Sequence, residues 1–305
     1  MIKKATLILP LLALGAGAAF MATSSCSKST SETSSEVKDK APAVEKKDGP
    51  LKVLYVTHEP GTYHRYTPQR KIFEELAKQN NWQLDVLSGS HDDVEEILAT
   101  TPDFAQGADV VVYNFCMAHA KKLEAPFNII QTTKEQGTPA LLVHCSLHSF
   151  WSTYKSGDQH IHGQPAQVKA PAELIAEWKT AHPNDDFPAW SSFTGIASTA
   201  HGARAPLDTK MLQADHEIFN GFEDYTTTDK AELYNNFVKP EDSPKTAALL
   251  QGQQGSNKSV VLWEHPVGKS KTVSFTLGHD TAEWSQPQFQ TLITNSVNYL
   301  GKDRK

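Results

Sequence analysis

Short apolar runs alternate with amphipathic segments along most of this chain, and this alternation restricts its fold more than any other feature. Residues 52–57 (KVLYVT), 109–113 (DVVVY) and 140–143 (ALLV) are continuous apolar runs rich in β-branched or aliphatic side chains. Strands of this kind are buried on both faces, because helices cover the two sides of a parallel sheet. The sequence therefore predicts an α/β protein with a mostly parallel central sheet between two helical layers.

The boundaries of the other elements follow from helical periodicity and from breaker residues. A helix is predicted from Thr67-Pro68 to Asn80-Asn81, and another over residues 121–136 with an interruption near Pro126. The last helix has Pro287 in its first turn and Gly301 as its C-cap. Further helices are predicted over residues 92–99 and 171–181, strands over residues 82–88, 192–198, 232–235, 247–251, 259–264 and 272–277, and a hairpin loop over residues 252–257.

The amino terminus, residues 1–25, has the order of an export signal. Lys3 and Lys4 precede an apolar run too short to cross a bilayer comfortably, and small residues follow it directly before Cys26. This pattern resembles a bacterial lipoprotein signal, so we expect Cys26 to be lipidated and the protein to be anchored in the cell envelope, periplasmic or surface-facing. The alternatives are an ordinary cleaved signal and a weak membrane helix. Residues 26–50 are polar and are expected to form a disordered tether to a domain over residues 51–305.

The charge of the chain limits its partners. The formal net charge is −6, and it becomes −8 once the two positive charges of Lys3 and Lys4 leave with the signal. The sequence has no basic stripe interleaved with aromatic residues, which argues against nucleic acid and anionic membrane surfaces as partners. We therefore expect a small-molecule ligand, and membrane contact through the lipid anchor only.

Polar residues follow the predicted strands, at the edge where open α/β sheets bind ligands. Tyr63 and His64 come after the first strand, Asn114 after the third and His144 after the fourth. The chain contains 13 histidines, and four of them fall within residues 143–163. Since imidazole titrates near neutral pH, these residues suggest proton transfer or metal binding at this edge.

Two cysteines, Cys116 and Cys145, lie in the predicted domain. They can pair in an oxidising compartment if the strands that end near them are neighbours. Otherwise Cys145 is expected to be a buried thiol, because its flanking residues, His144 and Ser146, lack the glycine freedom that a nucleophile on a sharp strand-to-helix turn requires. A nucleophilic Cys145 is the less favoured alternative.

Several segments occur in an order shared with one protein family: KVLYVTHEPGTYHRYTPQRKIFEELA, ADVVVYN, GTPALLVHCSLHSFW, DHEIFNGFEDY with AELY, and VVLWEHPVGKSKTVSFTLGHDTAEWSQPQFQTLITNSVNYL. On these residues the chain resembles the trehalose-utilisation (ThuA-like) family over nearly all of residues 51–300. The resemblance implies the flavodoxin-like, three-layer fold of the class I glutamine-amidotransferase-like superfamily. It also implies a link to sugar metabolism.

The family motifs fall on Tyr63-His64, His144, Glu232 and Gly278-His279, and loosely on residues 157–162. We therefore predict acid–base chemistry on a sugar or keto-sugar derivative, in which a histidine transfers the proton and the carboxylate orients it. The predicted catalytic residues are His64, His144, Glu232 and His279, with His144 or His279 as the proton carrier. The predicted substrate contacts are Tyr63, Asn114, His160 and His162.

Alternatives to this chemistry remain open at the level of sequence. Histidines from separate loops can bind a divalent metal, and the pair His160 and His162 would lie on one side of an extended segment. No motif as specific as HExxH is present, so the cofactor is not defined and a divalent metal remains an option. The first rival function is a non-catalytic sugar-binding lipoprotein, and the second is a cysteine-dependent amidohydrolase.

Overall fold

The computed structural model describes residues 49–150, 155–156, 159–160, 172–198, 200–236 and 245–303, with only the backbone at 155–156 and 159–160. The strands are β1 (Lys52–Val56), β2 (Gln83–Leu87), β3 (Val110–Tyr113), β4 (Ala140–Val143), β5 (Lys155–Ser156), β6 (Gln159–His160), β7 (His201–Arg204), β8 (Asp208–Met211), β9 (Glu232–Tyr234), β10 (Ala247–Gln254), β11 (Asn257–Val267) and β12 (Ser270–Phe275). The α-helices are α1 (Tyr66–Gln79), α2 (His91–Thr100), α3 (Glu124–Lys134), α4 (Ala172–Ala181), α5 (Ser191–Thr194), α6 (Thr281–Trp284) and α7 (Pro287–Gly301), with 3-10 helices at His144–His148 and Glu217–Phe219.

The central sheet has eight strands in the order β2-β1-β3-β4-β12-β11-β10-β8. The first five are parallel to one another, and β12 fills the fifth place although it is the last strand of the chain. This is the flavodoxin-like order, 2-1-3-4-5. The remaining strands add an antiparallel extension beyond β12. The predicted α/β class and mostly parallel sheet are therefore confirmed.

Two apolar cores cover the two faces of the sheet. Successive side chains of a strand point to opposite faces. In β1, Val53 and Tyr55 accordingly pack with α1 and α7, whereas Leu54 and Val56 pack with α2 and α3. This arrangement explains why the parallel strands read as continuous apolar runs, since residues 53–56 of β1 are all buried.

A separate two-stranded ribbon of β7 and β9 pairs His201 with Tyr234 and Arg204 with Glu232. Glu232 lies within 3.4 Å of His144, which directly follows β4. The ribbon therefore places its side chains at the carboxyl edge of the parallel strands, where the sequence predicts the site.

The prediction of a strand over residues 192–198 is wrong, because this segment begins within the short helix α5. Gly195 ends that helix with a φ of 75°, a left-handed conformation that glycine adopts without strain. Phe193 and Ile196 are both buried in the core that contains α2 and α3. Their spacing fits one helical turn as well as a short strand, so the apolar pattern does not separate the two.

Two glycines have a structural role other than the one that the sequence pattern predicts. Gly252 belongs to β10 and not to a hairpin loop: a Cβ there would meet Val261 at 2.6 Å, so close packing requires the glycine. The turn itself is shorter and contains Gly255. Gly301 is the last residue of α7 and not its cap, and a Cβ there would collide with the Leu51 side chain.

Pro126 does not interrupt a longer helix. It lies in the first turn of α3, where its missing N–H has no intrahelical partner to lose, so the helix starts at Glu124 and not at residue 121. The pattern also gave no indication of β7 and β8. Among the described residues, no helix combines the length and apolarity needed to cross a membrane. Cys26, the predicted signal and nearly all of the predicted tether lie outside the described residues.

Candidate functional site

Three histidines meet at the carboxyl edge because the strands that carry two of them are neighbours. His144 follows β4 and His279 follows β12, and these strands pair in register from Ala140 onward. The Nδ1 of His144 donates to the carbonyl of Thr276 at 2.7 Å. His64, in the loop after β1, donates from Nδ1 to the carbonyl of His279 at 3.1 Å. The backbone of the β12 end thus orients both neighbouring rings.

His144 is the first residue of the 3-10 helix that directly follows β4. Its φ is 50°, a left-handed conformation that is uncommon for residues other than glycine. This conformation directs the imidazole toward His64 and His279, whose ring centroids lie 4.7 and 5.3 Å away. The strained position is therefore filled by a histidine whose side chain faces the site, and not by Cys145.

Glu232 is the centre of the site. Its carboxylate is 4% exposed and lies 3.4 Å from Nε2 of His144, 3.1 Å from Nε2 of His279, 3.4 Å from Nε2 of His201 and 3.0 Å from Nε of Arg204. Burial raises the pKa of this carboxyl group, but the His144 and His279 imidazoles outweigh burial and hold its pKa well below its usual range. Glu232 is therefore an anion surrounded by nitrogen groups.

Two more pocket histidines are neutral at physiological pH. Burial, together with the neighbouring His144 and His279, lowers the pKa of His64 to about 2. Burial, together with the neighbouring His144 and His201, lowers the pKa of His148 to about 3. These rings act as hydrogen-bonding or ligating groups rather than as resident cations.

Tyr234 supports two of these rings. His148 stacks on it at a centroid distance of 3.9 Å, and its Nε2 lies 2.9 Å from Oγ of Ser198. The hydroxyl of Tyr234 lies 3.4 Å from Nδ1 of His144. Tyr234 is thus a positioning residue between the ribbon and the strand ends.

A second carboxyl group, Glu283, lies beneath His279. It is fully buried, and its Oε2 accepts the backbone N–H of His279 at 3.0 Å. Burial raises its pKa to about 7, even though the N–H groups of Gly278 and His279 favour the charged form. Glu283 therefore fixes the backbone from which the His279 side chain projects.

The site opens into a cavity of about 470 Å³. Tyr63 stands at its rim with 53% of its surface exposed, and its hydroxyl lies 2.6 Å from Nε2 of His119. The cavity is lined by Tyr63, His64, Cys116, Ala118, His119, Cys145, His148, Ala200, His201, Arg204, Glu232 and Tyr234. The lining thus combines several polar side chains with apolar surface, as in small-molecule sites.

Cys116 and Cys145 form a disulfide in this wall, with their Cα atoms 4.9 Å apart. The pairing that the sequence left open is therefore present, and the expectation of a buried free Cys145 thiol is wrong. It arises because β3 and β4 are adjacent, so the loops that follow them meet. While the bond is intact, neither sulfur is available as a nucleophile.

Comparison with known proteins places the chain in a family. The profile of the trehalose utilisation (ThuA) family matches residues 52–300. The chain belongs to this family. The predicted family membership is thus confirmed. Among curated proteins, none matches this ThuA chain in sequence.

Solved structures similar to this ThuA chain share little sequence with it. A putative ThuA-like protein from Bacteroides uniformis ATCC 8492 is 11% identical with a TM-score of 0.57, and the match covers 86% of this chain and 95% of that one. A looser likeness, with a TM-score of 0.43 and 10% identity, is to the glutaminase domain of the CTPS of Trypanosoma brucei, covering 84% and 95% of the two chains. At such low identity, the Bacteroides structure supports the fold alone.

The four residues predicted to be catalytic in this ThuA chain, His64, His144, Glu232 and His279, come together in one cluster. Of the predicted substrate contacts, Tyr63 lines the cavity. Asn114 is not brought there: it is buried and donates to the Tyr55 hydroxyl at 2.7 Å and to Gln69 at 2.9 Å. The side chain of His160 and the whole of His162 lie outside the described residues.

Sequence reasoning missed several residues of the ThuA site: His119, His201, Arg204, Tyr234 and Glu283. His201 and Arg204 belong to a short exposed strand with no alternating pattern, so nothing in their segment indicated a site. Glu283 did leave a signal, because Asp280 and Glu283 have the spacing of a capping box. Asp280 does cap α6, but the Glu283 side chain turns to the N–H of His279 instead.

Within the described residues of this ThuA chain, two groups of side chains have the composition and proximity to hold a metal ion. One consists of His64, His144 and His279, and the other of His91, Asp92 and Glu95. In each group the candidate ligand atoms lie within 4.8 Å of one another.

Proposed function

We propose that this protein is an envelope enzyme that acts on a sugar or a keto-sugar derivative by proton transfer at the His144, Glu232 and His279 cluster. Family membership supports a carbohydrate-related role, because the family is described by trehalose utilisation. Three contacts support the chemistry: the buried carboxylate of Glu232 lies close to two imidazoles and to the Arg204 guanidinium.

The contacts of Glu232 carry the proposed mechanism. An imidazole that accepts a proton from a sugar hydroxyl or from an acidic C–H becomes a cation. The anionic carboxylate, already in contact with His144 and His279, stabilises that cation and holds the ring in place. Its lowered pKa fits an orienting role, since a carboxylate whose pKa lies below its usual range is a weaker base. His144 or His279 is therefore the proton carrier.

The cavity suits a sugar in size and in wall chemistry. A volume of about 470 Å³ falls within the usual range for small-molecule sites. Arg204 and His201 of the ribbon offer donors, and the hydroxyl of Tyr63 also lines the cavity. Such donors can hydrogen-bond to hydroxyl or carbonyl oxygens, while the Cys116–Cys145 bond adds an apolar patch.

Turnover of a sugar panel tests the proposal. The purified protein is incubated with disaccharides and their 3-keto forms, and products are followed by mass spectrometry. We expect conversion of at least one member, and a loss of at least about 100-fold in kcat for Glu232→Gln. Glu217→Gln is the matched control, because Glu217 is exposed and pairs with Lys302. Binding across the panel without conversion would instead establish a sugar-binding protein.

The envelope location is a separate part of the proposal and rests on the signal-like order of residues 1–26. Acylation of Cys26 would tether the domain to the membrane. We expect labelled fatty acid to be incorporated into the wild-type chain but not into Cys26→Ser, and the variant to leave the membrane fraction. Ser27→Ala serves as the control and should stay with the membrane. Equal fractionation of all three proteins would reject the anchor.

A further inference from the structure

Three buried imidazoles, those of His64, His144 and His279, converge in the site. One ring nitrogen from each of His64, His144 and His279 lies within 4.8 Å of the other two. The rings stand nearly perpendicular to one another, with centroids 4.7 to 5.3 Å apart. Edge-to-face contact also occurs in ordinary packing of aromatic rings, so the proximity of the three nitrogens is the observation that points to a common ligand.

The tautomers of two rings leave the inner nitrogens free to ligate. A carbonyl oxygen can only accept, so Nδ1 carries the hydrogen in His64, which donates to His279, and in His144, which donates to Thr276. The neutral ring then presents a bare lone pair at Nε2. Histidines that ligate metals usually donate their other ring N–H to a backbone carbonyl in this manner.

The inner nitrogens also lack hydrogen bonds. Among the described residues, Nε2 of His144 and both ring nitrogens of His279 have no hydrogen-bond partner, although both side chains are more than nine-tenths buried. The nearby oxygens of Glu232 are close in distance but not aligned for a hydrogen bond. Unsatisfied buried polar atoms are costly and call for a missing partner.

We propose that His64, His144 and His279 bind one divalent transition-metal cation of the zinc class, with Glu232 as the adjacent carboxylate. Three neutral imidazoles suit Zn²⁺ and its neighbours better than Mg²⁺ or Ca²⁺, which prefer oxygen ligands. Tetrahedral ligation at about 2.0–2.1 Å needs nitrogens about 3.3 Å apart, so the rings would close by no more than about 1.5 Å. The anion of Glu232 offsets the charge of the cation.

The other candidate group is less suitable. Glu95 already accepts the backbone N–H groups of Lys121 and Lys122 through Oε1. The side chain of Asp92 is 96% exposed, so holding a cation there would order a solvated carboxylate. His91 therefore provides a control for the location of the metal.

A cation at the three histidines would change one role in the proposed chemistry, because His144 and His279 cannot carry a proton while they ligate it; this part of the inference rests on the proposed function. The cation would polarise a sugar hydroxyl or carbonyl oxygen, and the imidazoles would act as ligands. Glu232 would then remain as the negatively charged group beside the substrate oxygen. The binding of the cation does not depend on any sugar and is measured without one.

Metal analysis of the purified full-length chain tests the site. The protein is stripped with a chelator, equilibrated with Zn²⁺ alone, and assayed for bound metal per chain by mass spectrometry and for affinity by competition. We expect one equivalent, and an affinity loss of at least about 100-fold in each of His64→Ala, His144→Ala and His279→Ala. His91→Ala and His182→Ala should bind like the wild type. Circular dichroism checks that each variant is folded.

Loading with Co²⁺ gives a second readout that needs no variant. Nitrogen ligation at a four-coordinate site produces intense visible absorption, whereas Co²⁺ bound to exposed carboxylates stays pale and octahedral. The site would be overturned if the wild type did not retain stoichiometric Zn²⁺. It would also be overturned if His91→Ala lost binding while the variants of His64, His144 and His279 retained it. Sugar turnover by the metal-free protein would reject the cation's role in the reaction and leave the proposed function standing.

Discussion

The disulfide between Cys116 and Cys145 leads to a prediction whose size follows from its position. The bond joins residues 29 apart in sequence, and the segment it closes contains α3 and β4. Closing a loop of that length restricts the unfolded chain, and the chain-entropy relation gives about 3.6 kcal/mol at 25 °C. We therefore expect Cys116→Ala/Cys145→Ala to lower the free energy of unfolding by about this amount.

Urea unfolding followed by tryptophan fluorescence measures this loss. The oxidised wild type, the wild type in reductant and the double variant are compared, and the last two should have similar, lower midpoints. Their m-values should rise, because an unfolded chain without the cross-link exposes more surface. Cys26→Ser, which leaves the bond intact, should unfold like the oxidised wild type.

Two results would refute this account of the bond. Alkylation of the folded protein at both Cys116 and Cys145 without prior reduction would show that no disulfide forms. An unchanged midpoint in reductant, with the bond shown to be broken, would mean that loop closure contributes no stability here. A turnover defect confined to Cys145→Ser, with Cys116→Ala fully active, would favour the cysteine nucleophile instead.

Three smaller predictions concern other parts of the fold. Burial lowers the pKa of His58 from 6.5 to about 4, so between these pH values the unfolded chain binds a proton that the native state does not bind. The free energy of unfolding should therefore fall by on the order of 3 kcal/mol between pH 6.5 and pH 4. The unfolding of His58→Gln across this range should lack that decline. Gly278→Ala should lower the free energy of unfolding, measured in urea, by about 1–3 kcal/mol and should impair turnover. The reason is that Gly278 has a φ of 102° and that a Cβ there would meet the Phe289 ring at 3.0 Å. A variant as stable and as active as the wild type would contradict this. Ser90→Ala should cost about 1 kcal/mol in the same assay by removing the capping box of α2 while leaving sugar binding unchanged.

The alternation of apolar runs and helices was sufficient to predict the parallel part of the sheet. Residues 140–143 were placed as a strand with the bounds that β4 has, because a fully buried strand carries its own signal in each residue. The antiparallel extension was harder to predict. Gly252 resembles a turn residue by type, and only its contact with Val261 across the sheet explains why β10 continues through it.

The residues of the site also fall into a group that the sequence predicts and a group that it does not. His144 was found from the rule that ligands bind at the carboxyl ends of strands, and His279 and Glu232 from the family motifs. His201 and Arg204 were missed because they join the site through the pairing of β7 with β9, and Arg204 lies 28 residues from its partner Glu232. Such a pairing depends on the folded sheet beneath it. A local pattern of exposed polar residues does not encode it.

The place of β12 in the sheet also has a consequence for the biosynthesis of the protein. His64 and His279 touch across 215 positions of sequence, so a growing chain has no complete pocket until His279 has been added. Until β12 is added, β4 is paired only with β3, and the edge that it leaves open consists of ALLV, whose side chains are all buried in the finished sheet. Exposed apolar edges recruit other chains. Chains that stop before residue 270 should therefore be lost to aggregation, and quality control acting on unfolded chains would remove them before any partly formed site could act.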